Sequence, residues 1–410
     1  MTPFLLATPW LALLLFVRFV ARVPSELPPF DEASHAAPFP PYSAVELTSP
    51  ALPDTPPPRV SIVVPARNEA VNIVACLRSL AASEYPDFEI VVVDDRSDDR
   101  TAELARSVPR GNAERIVVLD GQLLPPGWLG KPWACRQGAI EARGELLLFT
   151  DADTTHGPRL LARAVAGLQQ EGADLLTVVG RQLMESFWER LVQPQVFLVM
   201  LLRFPDFERV ARNDRWRDAI ANGQFLLFRA GAYTRIGGHE SVRDEVAEDL
   251  ALAQRVKRAG LRLRIRSAEH DLATRMYRSL GQLVEGWSKN IVMGGLQSFP
   301  PVLRPLVPPA SFFGGIGLWI VAPLVLLLRA TGLGPDLPPG LVLWAATVDG
   351  LSAVLWCWFT RAMKAPLAYG LLYPLGAAVG SFIFLRAWIR GRTVEWKGRR
   401  YRLPPLSERA

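Results

Sequence analysis

The chain has 410 residues, half of them hydrophobic, and its 46 basic residues exceed its 40 acidic ones for a formal net charge of +6. This length exceeds the roughly 100–200 residues of a usual domain, so we expect one enzyme-sized domain with further segments attached. The basic excess comes with no helix-turn-helix, zinc-finger or RNP pattern. The absence of these patterns makes nucleic acid a weak candidate partner, and the basic excess favours an anionic membrane surface instead.

The cysteines and histidines exclude two further classes. The three cysteines are widely spaced without a CxxC pair, and the four histidines form no HExxH pair. Neither a disulfide framework nor a zinc site is therefore indicated. Any metal must be held by carboxylates, and such oxygen ligands favour Mg²⁺ or Mn²⁺.

The N-terminal segment, residues 1–23, is predicted to be a transmembrane anchor because it is almost wholly apolar over about the length of a bilayer. A cleaved signal peptide is the alternative, disfavoured because Arg18 and Arg22 follow the apolar run rather than precede it. The same charges place the carboxyl end of this span in the cytoplasm. Residues 24–58 carry eleven prolines and are predicted to be a linker.

The next part, residues 59–300, is predicted to be a catalytic domain. Short apolar runs alternate with amphipathic helical patterns, which predicts an α/β fold with a mostly parallel sheet covered by helices on both faces. After the first strand, Asn68 is expected to cap a helix. The predicted strands are 60–64, 89–93, 115–119, 145–149 and 174–179.

Three apolar stretches, 312–328, 341–359 and 366–385, predict a C-terminal membrane region over residues 301–389, followed by a basic tail, 390–410. The charges predict a multi-pass protein of the cell membrane with its catalytic domain in the cytoplasm. Seven basic residues from Arg386 to Arg402 oppose a full crossing by 366–385, and a re-entrant loop is the alternative. The crossing is favoured because twenty apolar residues fit one span better than two limbs of a loop.

Polar segments follow the predicted strands at the sheet edge where ligands of open parallel sheets bind. They are PARNE (65–69), DDRSDDRT (94–101), DAD (151–153) and AEDLA (247–251). Asp94 and Asp95 directly follow an apolar run and are expected to meet a nucleoside. A solvated turn in which Asp98 or Asp99 caps a helix is an equally good interpretation of that segment alone.

The strongest of these segments is Asp151-Ala152-Asp153. A strand alternates its side chains, so both carboxylates are expected on one face at one edge of the sheet, where two like charges require a cation. A divalent metal that bridges them to a diphosphate would neutralise a leaving group. An exposed loop pair is the alternative. No Gly-x-Gly-x-x-Gly or Walker sequence occurs, which disfavours dinucleotide and P-loop chemistry.

Six segments in this order resemble the motifs of family 2 glycosyltransferases of the GT-A fold, over roughly residues 59–290. They are SIVVPARNE, VVVDDRSDDRT, GKPWACRQG, LLLFTDADT, GQFLLFRAGAYTRIGGH and EDLALAQRVKRAG. The later segments EGWSKN (285–290) and EWKGRRY (395–401) are similar to bacterial enzymes that glycosylate carotenoid, hopanoid or ceramide-type lipids. The resemblance implies a membrane enzyme that takes a nucleotide-sugar donor and a membrane lipid acceptor.

The resemblance also implies residue roles. The nucleoside would be held by Ala66, Glu69, Asp94 and Asp95, and Lys131 would approach the donor. Asp153 would coordinate Mg²⁺ or Mn²⁺ with Asp151 beside it, and Asp249 would be the base of an inverting transfer. Glu248 is the second candidate at that position; an acidic helix N-terminus is the alternative for both residues.

The family's polymerising members carry Gln-x-x-Arg-Trp after the base, whereas this chain has Gly286-Trp287-Ser288-Lys289. The departure favours transfer of one sugar. Trp287 is expected either to stack on a sugar or, slightly preferred, to lie in a membrane-interface helix, and Lys289 either to offset diphosphate charge or to be an interfacial cation. The apolar segment 187–204, which Pro194 is expected to break, predicts a core helix or a lipid-facing floor.

Three other functions compete with this one. A polyprenyl-phosphate sugar transferase has an acceptor that is already an anion, so the base matters less. A polysaccharide synthase is disfavoured by the missing motif. A membrane scaffold or transporter with a degenerate sugar-nucleotide domain is opposed by the intact set of Asp151, Asp153 and Asp249.

Overall fold

The computed structural model describes residues 2–19, 21–22, 24–28, 56–333, 335–391, 393–397 and 399–402. The chain forms two compact units. We call Val23–Arg181 with Phe207–Arg275 the sheet unit, and Met1–Arg22 with Gln182–Asp206 and Met276–Ala410 the helical unit. The predicted catalytic domain, residues 59–300, is therefore not one unit in the structure, because residues 182–206 and 276–300 belong to the helical unit.

The strands are short and lie mainly in the sheet unit. In chain order they are β1 (Val60–Ala66), β2 (Phe88–Asp94), β3 (Ile116–Asp120), β4 (Leu146–Phe149), β5 (Thr154–His156), β6 (Leu175–Val179), β7 (Arg181–Gln182), β8 (Leu226–Arg229), β9 (Leu263–Ser267), β10 (Leu272–Thr274), β11 (Thr393–Trp396) and β12 (Arg399–Arg402). The last two pair as an antiparallel hairpin in the helical unit.

The helices are distributed over both units. In chain order they are α1 (Thr2–Leu6), α2 (Thr8–Phe19), α3 (Ile73–Ala81), α4 (Thr101–Arg106), α5 (Gly130–Glu141), α6 (Leu160–Gln170), α7 (Phe187–Arg203), α8 (Phe207–Arg212), α9 (Ala230–Arg235), α10 (Glu248–Arg258), α11 (Leu280–Gln297), α12 (Val307–Trp319), α13 (Val321–Thr331), α14 (Pro339–Ala362), α15 (Ala368–Leu371) and α16 (Tyr373–Arg390).

The main sheet has seven strands in the order β3-β2-β1-β4-β8-β6-β9. All neighbours are parallel except β8, which runs antiparallel between β4 and β6. Every residue of β1 and β2 is buried, as expected for central strands covered on both faces. The five predicted strands and the mostly parallel α/β fold are confirmed, whereas the sequence analysis did not predict β8 and β9.

The turn after β1 differs from its prediction. Helix α3 begins at Ile73, and Asn68 does not cap it but lies in the turn with φ of 53°. The Asn68 side-chain oxygen accepts a hydrogen bond from the Asp98 backbone N–H at 2.8 Å. Asn68 therefore links two loops instead of starting a helix, because Asn tolerates this left-handed conformation.

The segment predicted as a linker is anchored at its start. Leu27 is buried, its backbone N–H donates to the Ser267 carbonyl at 2.9 Å, and the Ser267 N–H donates to Ser25 at 2.8 Å. Residues 24–28 therefore extend along β9 as part of the sheet unit. The remainder of the predicted linker, 29–55, lies outside the described residues, as does 403–410 of the predicted basic tail.

The segment around Pro194 forms one continuous helix, so the predicted break is wrong. α7 starts with a capping box, in which the Glu189 N–H donates to Ser186 Oγ and the Glu189 carboxylate accepts from the Ser186 N–H. Its Leu191 and Val196 pack in a buried apolar cluster with residues of α11 and α16. The cluster explains why the helix persists through Pro194, since burial of an apolar face outweighs a local propensity.

Only α14, among the described helices, is long and apolar enough to cross a membrane by itself. α12 and α13 pass the same test together but bend by 41° where they meet, and the apolar α2 has 12 residues. Twelve helical residues extend over about 18 Å, short of a hydrocarbon core of about 30 Å. The predicted segment 366–385 is interrupted at Leu372, between α15 and α16. The multi-pass prediction is therefore not supported.

Helix α5 packs on the sheet at Gly138, and this contact gives a test of the fold. A Cβ atom at Gly138 would overlap Cγ1 of Val63 and lie 3.2 Å from Cγ2 of Val93. We expect Gly138→Ala to destabilise the protein by about 1–3 kcal/mol, as overpacking does, measured as a lower midpoint of thermal unfolding. Gly317→Ala in α12, with no atom within 4 Å of the new Cβ, should cause no loss. Equal midpoints for the two variants would contradict this packing.

Candidate active site

The first and second strands end side by side and bring two of the predicted segments together. β1 and β2 pair in register, with Ala66 opposite Asp94. The Asp95 N–H then donates to the Ala66 carbonyl at 2.7 Å. Asp94 and Asp95 are both buried, at 6% and 0% exposure. The carboxylates expected to meet a nucleoside thus lie at the edge of the sheet and not in a solvated turn.

Arg67 fixes the loop that follows Asp95. Its guanidinium donates to the carbonyl of Asp95 at 2.6 Å and to the carbonyl of Arg96, and it forms an ion pair with Asp98 at 3.0 Å. Arg67 is buried at 7% exposure. Planar Arg donors suit such a set of oxygens, so the loop is held in one conformation.

Asp94 and Glu69, which are also expected to hold the nucleoside, have defined hydrogen-bond partners. Ser97 donates to Asp94 with both its hydroxyl, at 2.5 Å, and its backbone N–H, at 3.1 Å. The Glu69 carboxylate accepts from Asn72 Nδ2 at 2.8 Å. Since an ionised carboxylate has about four acceptor positions, these bonds leave Asp94 and Glu69 able to bind a ligand.

The alternative interpretation of the second loop, in which Asp98 or Asp99 caps a helix, is not found as predicted, because Arg100 is the N-cap of α4 and no side chain caps that helix. Asp99 accepts hydrogen bonds from the Thr101 N–H, at 3.0 Å, and from the Ala70 N–H, at 3.1 Å. Asp99 therefore fixes the turn that precedes α4. Asp94 and Asp95 at the start of the loop are thus buried at the edge of the sheet, whereas Asp99 near its end accepts hydrogen bonds from backbone N–H groups.

The acidic triplet is a turn between β4 and β5, because β4 ends at Phe149. Strand alternation therefore does not place its carboxylates, contrary to the prediction. Ala152 is buried at 3% exposure, which anchors the turn between Asp151 and Asp153. Thr274 in β10 donates to Asp153, to the carbonyl at 3.1 Å and to Oδ1 at 3.3 Å.

Lys131 connects the triplet to the start of α10. It lies in the first turn of α5, and its ammonium forms ion pairs of 2.7 Å with both Asp151 Oδ1 and Glu248 Oε1. Burial works to lower the pKa of Lys131, but the carboxylates of Asp151 and Glu248 outweigh it and hold the pKa well above its usual value. Lys131 is therefore a fixed positive charge between two acids.

Asp249 is held at the same place by backbone donors. Its Oδ2 accepts from the Gly223 N–H at 2.9 Å and its Oδ1 from the Leu250 N–H at 2.7 Å. A Cβ at Gly223 would lie 3.2 Å from both Asp249 Oδ2 and Lys131 Nζ, so Asp249 and Lys131 face the same small space. The structure thus brings Lys131, Asp151, Glu248 and Asp249 together.

The surroundings of Asp249 favour its protonated form. Burial and the nearby Glu248 carboxylate raise its pKa to about 6, against the lowering effect of Lys131 and the two N–H donors. A general base is most effective when its pKa lies near the working pH. A pKa of about 6 would suit a base, so Asp249 stays the candidate for that role, beside the alternative of an acidic helix N-terminus.

The oxygen donors at the triplet fit a divalent metal that a ligand completes. Within the described residues, no group of three or more His, Cys, Asp or Glu side chains is arranged to hold a metal. The triplet supplies two carboxylates, which is the usual protein contribution to a magnesium site that substrate phosphates complete. Asp151 Oδ1 is paired with Lys131 and Asp153 Oδ1 accepts a hydrogen bond from Thr274, so both carboxylates already have partners that orient them.

Trp287 and Lys289 lie in α11 of the helical unit, apart in the chain from these acids. The Trp287 ring is 5% exposed and packs edge-on against Phe197 and Tyr277, with ring centroids 5.9 and 5.7 Å apart. A buried ring does not lie at a membrane surface, so the interface interpretation of Trp287 is wrong. Lys289 is half-buried.

The sequence analysis missed Gly223 and Thr274. Gly223 opens the segment GQFLLFRAGAYTRIGGH, which was recognised as a motif without a role. A glycine directly before an apolar run was the available signal, since such a residue lets another group approach closely. Thr274 had no signal, because its position depends on the pairing of β10 with β5.

Comparisons with known proteins agree with this geometry. Residues 61–237 match the model of the family Glycosyl transferase family 2. A 4,4'-diaponeurosporenoate glycosyltransferase of Staphylococcus aureus (strain MRSA252) is 27% identical over 349 residues, 83% of this chain and 88% of that protein. The enzyme of the same name from Staphylococcus haemolyticus (strain JCSC1435) is 25% identical over 253 residues, 60% of this chain and 65% of that protein.

The mannosyltransferase PcManGT from Pyrobaculum calidifontis, solved in complex with GDP-Man and Mn2+, is similar with a TM-score of 0.49 and 20% identity, covering 79% of this chain and 87% of that one. The mostly parallel sheet and the domain match define a protein of the glycosyltransferase class. Residues 61–237 form a domain of the family 2 glycosyltransferase type, and the comparisons support a glycosyltransferase over the scaffold or transporter alternative.

The raised pKa of Asp249 generates a prediction for activity. A base must be deprotonated, so kcat/KM should fall as the pH drops through about 6. Asp249→Asn should lower kcat by roughly 10²–10⁴-fold and remove this limb of the pH profile while binding of the nucleotide is kept. Rates measured from pH 5 to 9 check both. If Asp249→Asn showed the same fall in kcat/KM at low pH, the base would be another residue, and Glu248 would be the next candidate.

The same shift predicts an effect on stability. The pKa of Asp249 rises from 3.8 in the unfolded chain to about 6 in the fold. Its contribution to the free energy of unfolding is therefore most favourable below pH 3.8 and is lost as the pH rises through 6. Asp249→Asn should therefore unfold at a higher temperature than the native protein at pH 8, and at a similar one at pH 4. Thermal unfolding at both pH values checks the sign.

Proposed function

We propose that this enzyme transfers one sugar from a nucleotide sugar, a UDP-sugar, to a hydroxyl group of a membrane lipid, with inversion at the anomeric carbon and with Mg²⁺ or Mn²⁺. The observation that carries the proposal is the Asp249 carboxylate, which two backbone N–H groups hold beside the Lys131 ammonium. A base and a cation at one place suit a reaction in which a proton leaves the nucleophile and negative charge develops on a leaving diphosphate.

The donor's nucleoside would bind at the loops after β1 and β2. The buried carboxylates of Asp94 and Asp95 and the half-buried Glu69 offer oxygen acceptors for the N–H and O–H groups of a base and a ribose. The backbone of Ala66 ends β1 next to them. Hydrogen bonds from Ser97 and Asn72 orient these carboxylates before a ligand arrives, which lowers the entropy cost of binding.

The diphosphate would bind at the acidic triplet and Lys131. A divalent cation bound there supplies positive charge to the diphosphate as it leaves, with Asp153 and Asp151 as its protein ligands. Lys131 adds a positive charge of its own to the same place. Its bonds to Asp151 and Glu248 fix the ammonium, so it need not reorganise during the reaction.

In the transfer step, the acceptor oxygen forms a bond to the anomeric carbon as the bond from that carbon to the diphosphate oxygen breaks. The acceptor O–H gives its proton to Asp249, and the nucleoside diphosphate leaves with the bonding electron pair. One displacement of this kind inverts the anomeric carbon. Glu248, ion-paired with Lys131 at 2.7 Å, keeps the ammonium next to Asp249.

A hydroxyl acceptor suits this site better than a polyprenyl phosphate. A phosphate is already an anion at neutral pH, so it needs no base, whereas a hydroxyl needs one as its oxygen attacks. Asp249 has a pKa near 6 and is built for that role. The sequence Gly286-Trp287-Ser288-Lys289, in place of Gln-x-x-Arg-Trp, further supports one sugar per acceptor over a polysaccharide.

The surface of the helical unit supports a membrane acceptor. Among the described residues, all large apolar side chains that are exposed belong to this unit except Val71, Leu123 and Ile140. Soluble proteins rarely concentrate exposed large apolar side chains in one part of the chain in this way, and a membrane would cover them. With α14 long enough to span a bilayer, we place the enzyme in the cell membrane with its sheet unit in the cytoplasm, where Arg18 and Arg22 follow the first apolar run.

The acceptor class is tested with purified full-length enzyme in detergent, a panel of UDP- and GDP-sugars, and mass analysis of the products. Three lipids are compared: a long-chain alcohol, a carotenoid carboxylic acid and a polyprenyl phosphate. The curated relatives named as diaponeurosporenoate glycosyltransferases are the reason for the second. We expect one added sugar on the alcohol, with a rate that Asp249→Asn suppresses. Transfer to polyprenyl phosphate alone, insensitive to Asp249→Asn, would reject the proposal.

The metal assignment gives a separate prediction. Asp153→Asn should abolish transfer, because the variant loses a ligand charge of the cation, and thermal stability should change little since Asp153 is half-buried. Asp120→Asn, at an 81% exposed carboxylate on the same edge of the sheet, is the matched control and should be active. Full activity of the native enzyme in excess chelator would remove the metal from the mechanism.

A further inference from the structure

His156 is a buried titratable residue that has no role in the transfer step described above. It ends β5, shortly after the acidic triplet, and is 7% exposed. Its Nε2 lies 3.1 Å from Thr150 Oγ1 and 2.9 Å from Thr154 Oγ1. Both threonines are buried, at 1% exposure. One ring nitrogen therefore contacts the two hydroxyls that flank the triplet in the chain.

The hydroxyl protons fix the direction of these bonds. Thr150 Oγ1 donates to the Gln224 carbonyl at 2.7 Å. Thr154 Oγ1 donates to the Asp151 carbonyl, also at 2.7 Å. A hydroxyl has one proton and a carbonyl can only accept, so both hydroxyls turn lone pairs toward the ring. His156 Nε2 therefore carries a proton and donates it to both. Burial lowers the pKa of His156 to about 3, so the ring is neutral and this is its one N–H.

The two carbonyls belong to different parts of the candidate active site. Asp151 begins the acidic triplet and pairs with Lys131. Gln224 directly follows Gly223, whose N–H donates to the Asp249 carboxylate. Two hydroxyls that share one ring N–H therefore connect the turn proposed to bind the metal with the backbone that holds the proposed base.

The His156 ring is itself held by regular elements. Its backbone N–H donates to Ser79 Oγ in α3 at 3.0 Å, and its ring lies beside the Phe225 ring, with centroids 6.1 Å apart. Phe225 directly precedes β8. The position of Nε2 is therefore set by α3, β5 and the start of β8 and not by the two loops that it connects.

We infer that His156 is a positioning residue whose Nε2–H, shared by Thr150 and Thr154, keeps the acidic triplet and the Gly223–Gln224 backbone in one fixed relation. Groups that are already oriented need not rearrange when a ligand binds or a reaction proceeds. The inference rests on the proposed function for the role of the triplet as a metal site, whereas the link itself rests on the hydrogen bonds alone.

The test measures how much Mn²⁺ tightens the binding of UDP. Purified full-length protein in detergent is titrated with UDP in a calorimeter, once with Mn²⁺ and once with EDTA, and the ratio of the two Kd values is the Mn²⁺ enhancement. His156→Phe keeps a ring of similar size and removes the donor. We expect it to lose about 10-fold of this enhancement, the lower end for residues that orient metal ligands. The Kd in EDTA should not change, because the nucleoside loops keep their bonds.

His156→Gln is the conservative variant. The Nε2 of a glutamine can occupy the place of the histidine Nε2, and it offers two N–H donors, one for each threonine hydroxyl. We expect His156→Gln to keep the Mn²⁺ enhancement of the native protein. A loss in His156→Gln as large as the loss in His156→Phe would show that the donor is not what matters.

His239→Phe separates positioning from stability. His239 is 1% exposed in the same unit, and its Nδ1 lies 2.8 Å from the Tyr233 hydroxyl. Both Phe variants should lower Tm, since each removes a buried hydrogen bond, but only His156→Phe should reduce the Mn²⁺ enhancement. An unchanged enhancement in His156→Phe, or an equal loss in His239→Phe, would overturn the inference.

A second measurement distinguishes this inference from the proposed function. If Mn²⁺ did not tighten UDP binding to the native protein, the metal part of the proposed function would be rejected, and unfolding would decide the link. Thr150→Val and Thr154→Val each remove one hydroxyl. Because both hydroxyls share one N–H, their losses of Tm should be non-additive in the native background and additive in His156→Phe. Additive losses in both backgrounds would reject the link.

Discussion

The ammonium of Lys131 is the charge on which the site depends, because it lies between acids that would otherwise repel one another. It pairs at 2.7 Å with Asp151, from the turn after β4, and with Glu248, from the start of α10. Asp249 is the next residue along α10, and Gly223 allows the ammonium and the Asp249 carboxylate to share one space. Without this cation, the negative charge at the edge of the sheet would be costly to bury.

The antiparallel strand β8 gives this arrangement its second support. β8 lies between β4 and β6, so the residues just before it reach the edge of the sheet at which β4 ends. Gly223 is one of them, and its N–H holds Asp249. One antiparallel strand in an otherwise parallel sheet therefore positions both Asp249 and the space beside it. A side chain at residue 223 would press on Lys131 and Asp249 together.

The helical unit differs from the sheet unit in the kind of side chain that it exposes. Its large apolar side chains are exposed along α1, α2 and the C-terminal helices, while polar groups such as Gln193 and Ser381 are buried. The helical unit still buries apolar clusters, and the apolar side chains outside them are those that a lipid surround would cover under the proposed function. The glycines at helix crossings fit the same surround, since a Cβ at Gly370 would lie 2.6 Å from the Cys357 backbone.

The sequence by itself determined the parts of the fold that depend on local pattern. Runs such as VSIVV and EIVVV became buried central strands because a strand covered on both faces must be apolar throughout. Asp94, Asp151 and Asp249 were found because polar residues directly after such strands, or at the start of a helix beside them, occupy the edge where ligands bind. The ordered motifs then supplied the family.

Only the tertiary structure decided which of these residues meet. The pairs of Lys131 with Glu248, Gly223 with Asp249 and Thr274 with Asp153 join distant parts of the chain, and a local pattern reports burial and period, not partners. The same limit applies to Trp287. Its amphipathic helix is compatible with a membrane surface and with a packed core, and only the contacts of Phe197 and Tyr277 with the ring show that the ring is packed. This limit explains the spans too, because apolar length is visible in a sequence, whereas the 41° bend between α12 and α13 is seen only in the tertiary structure.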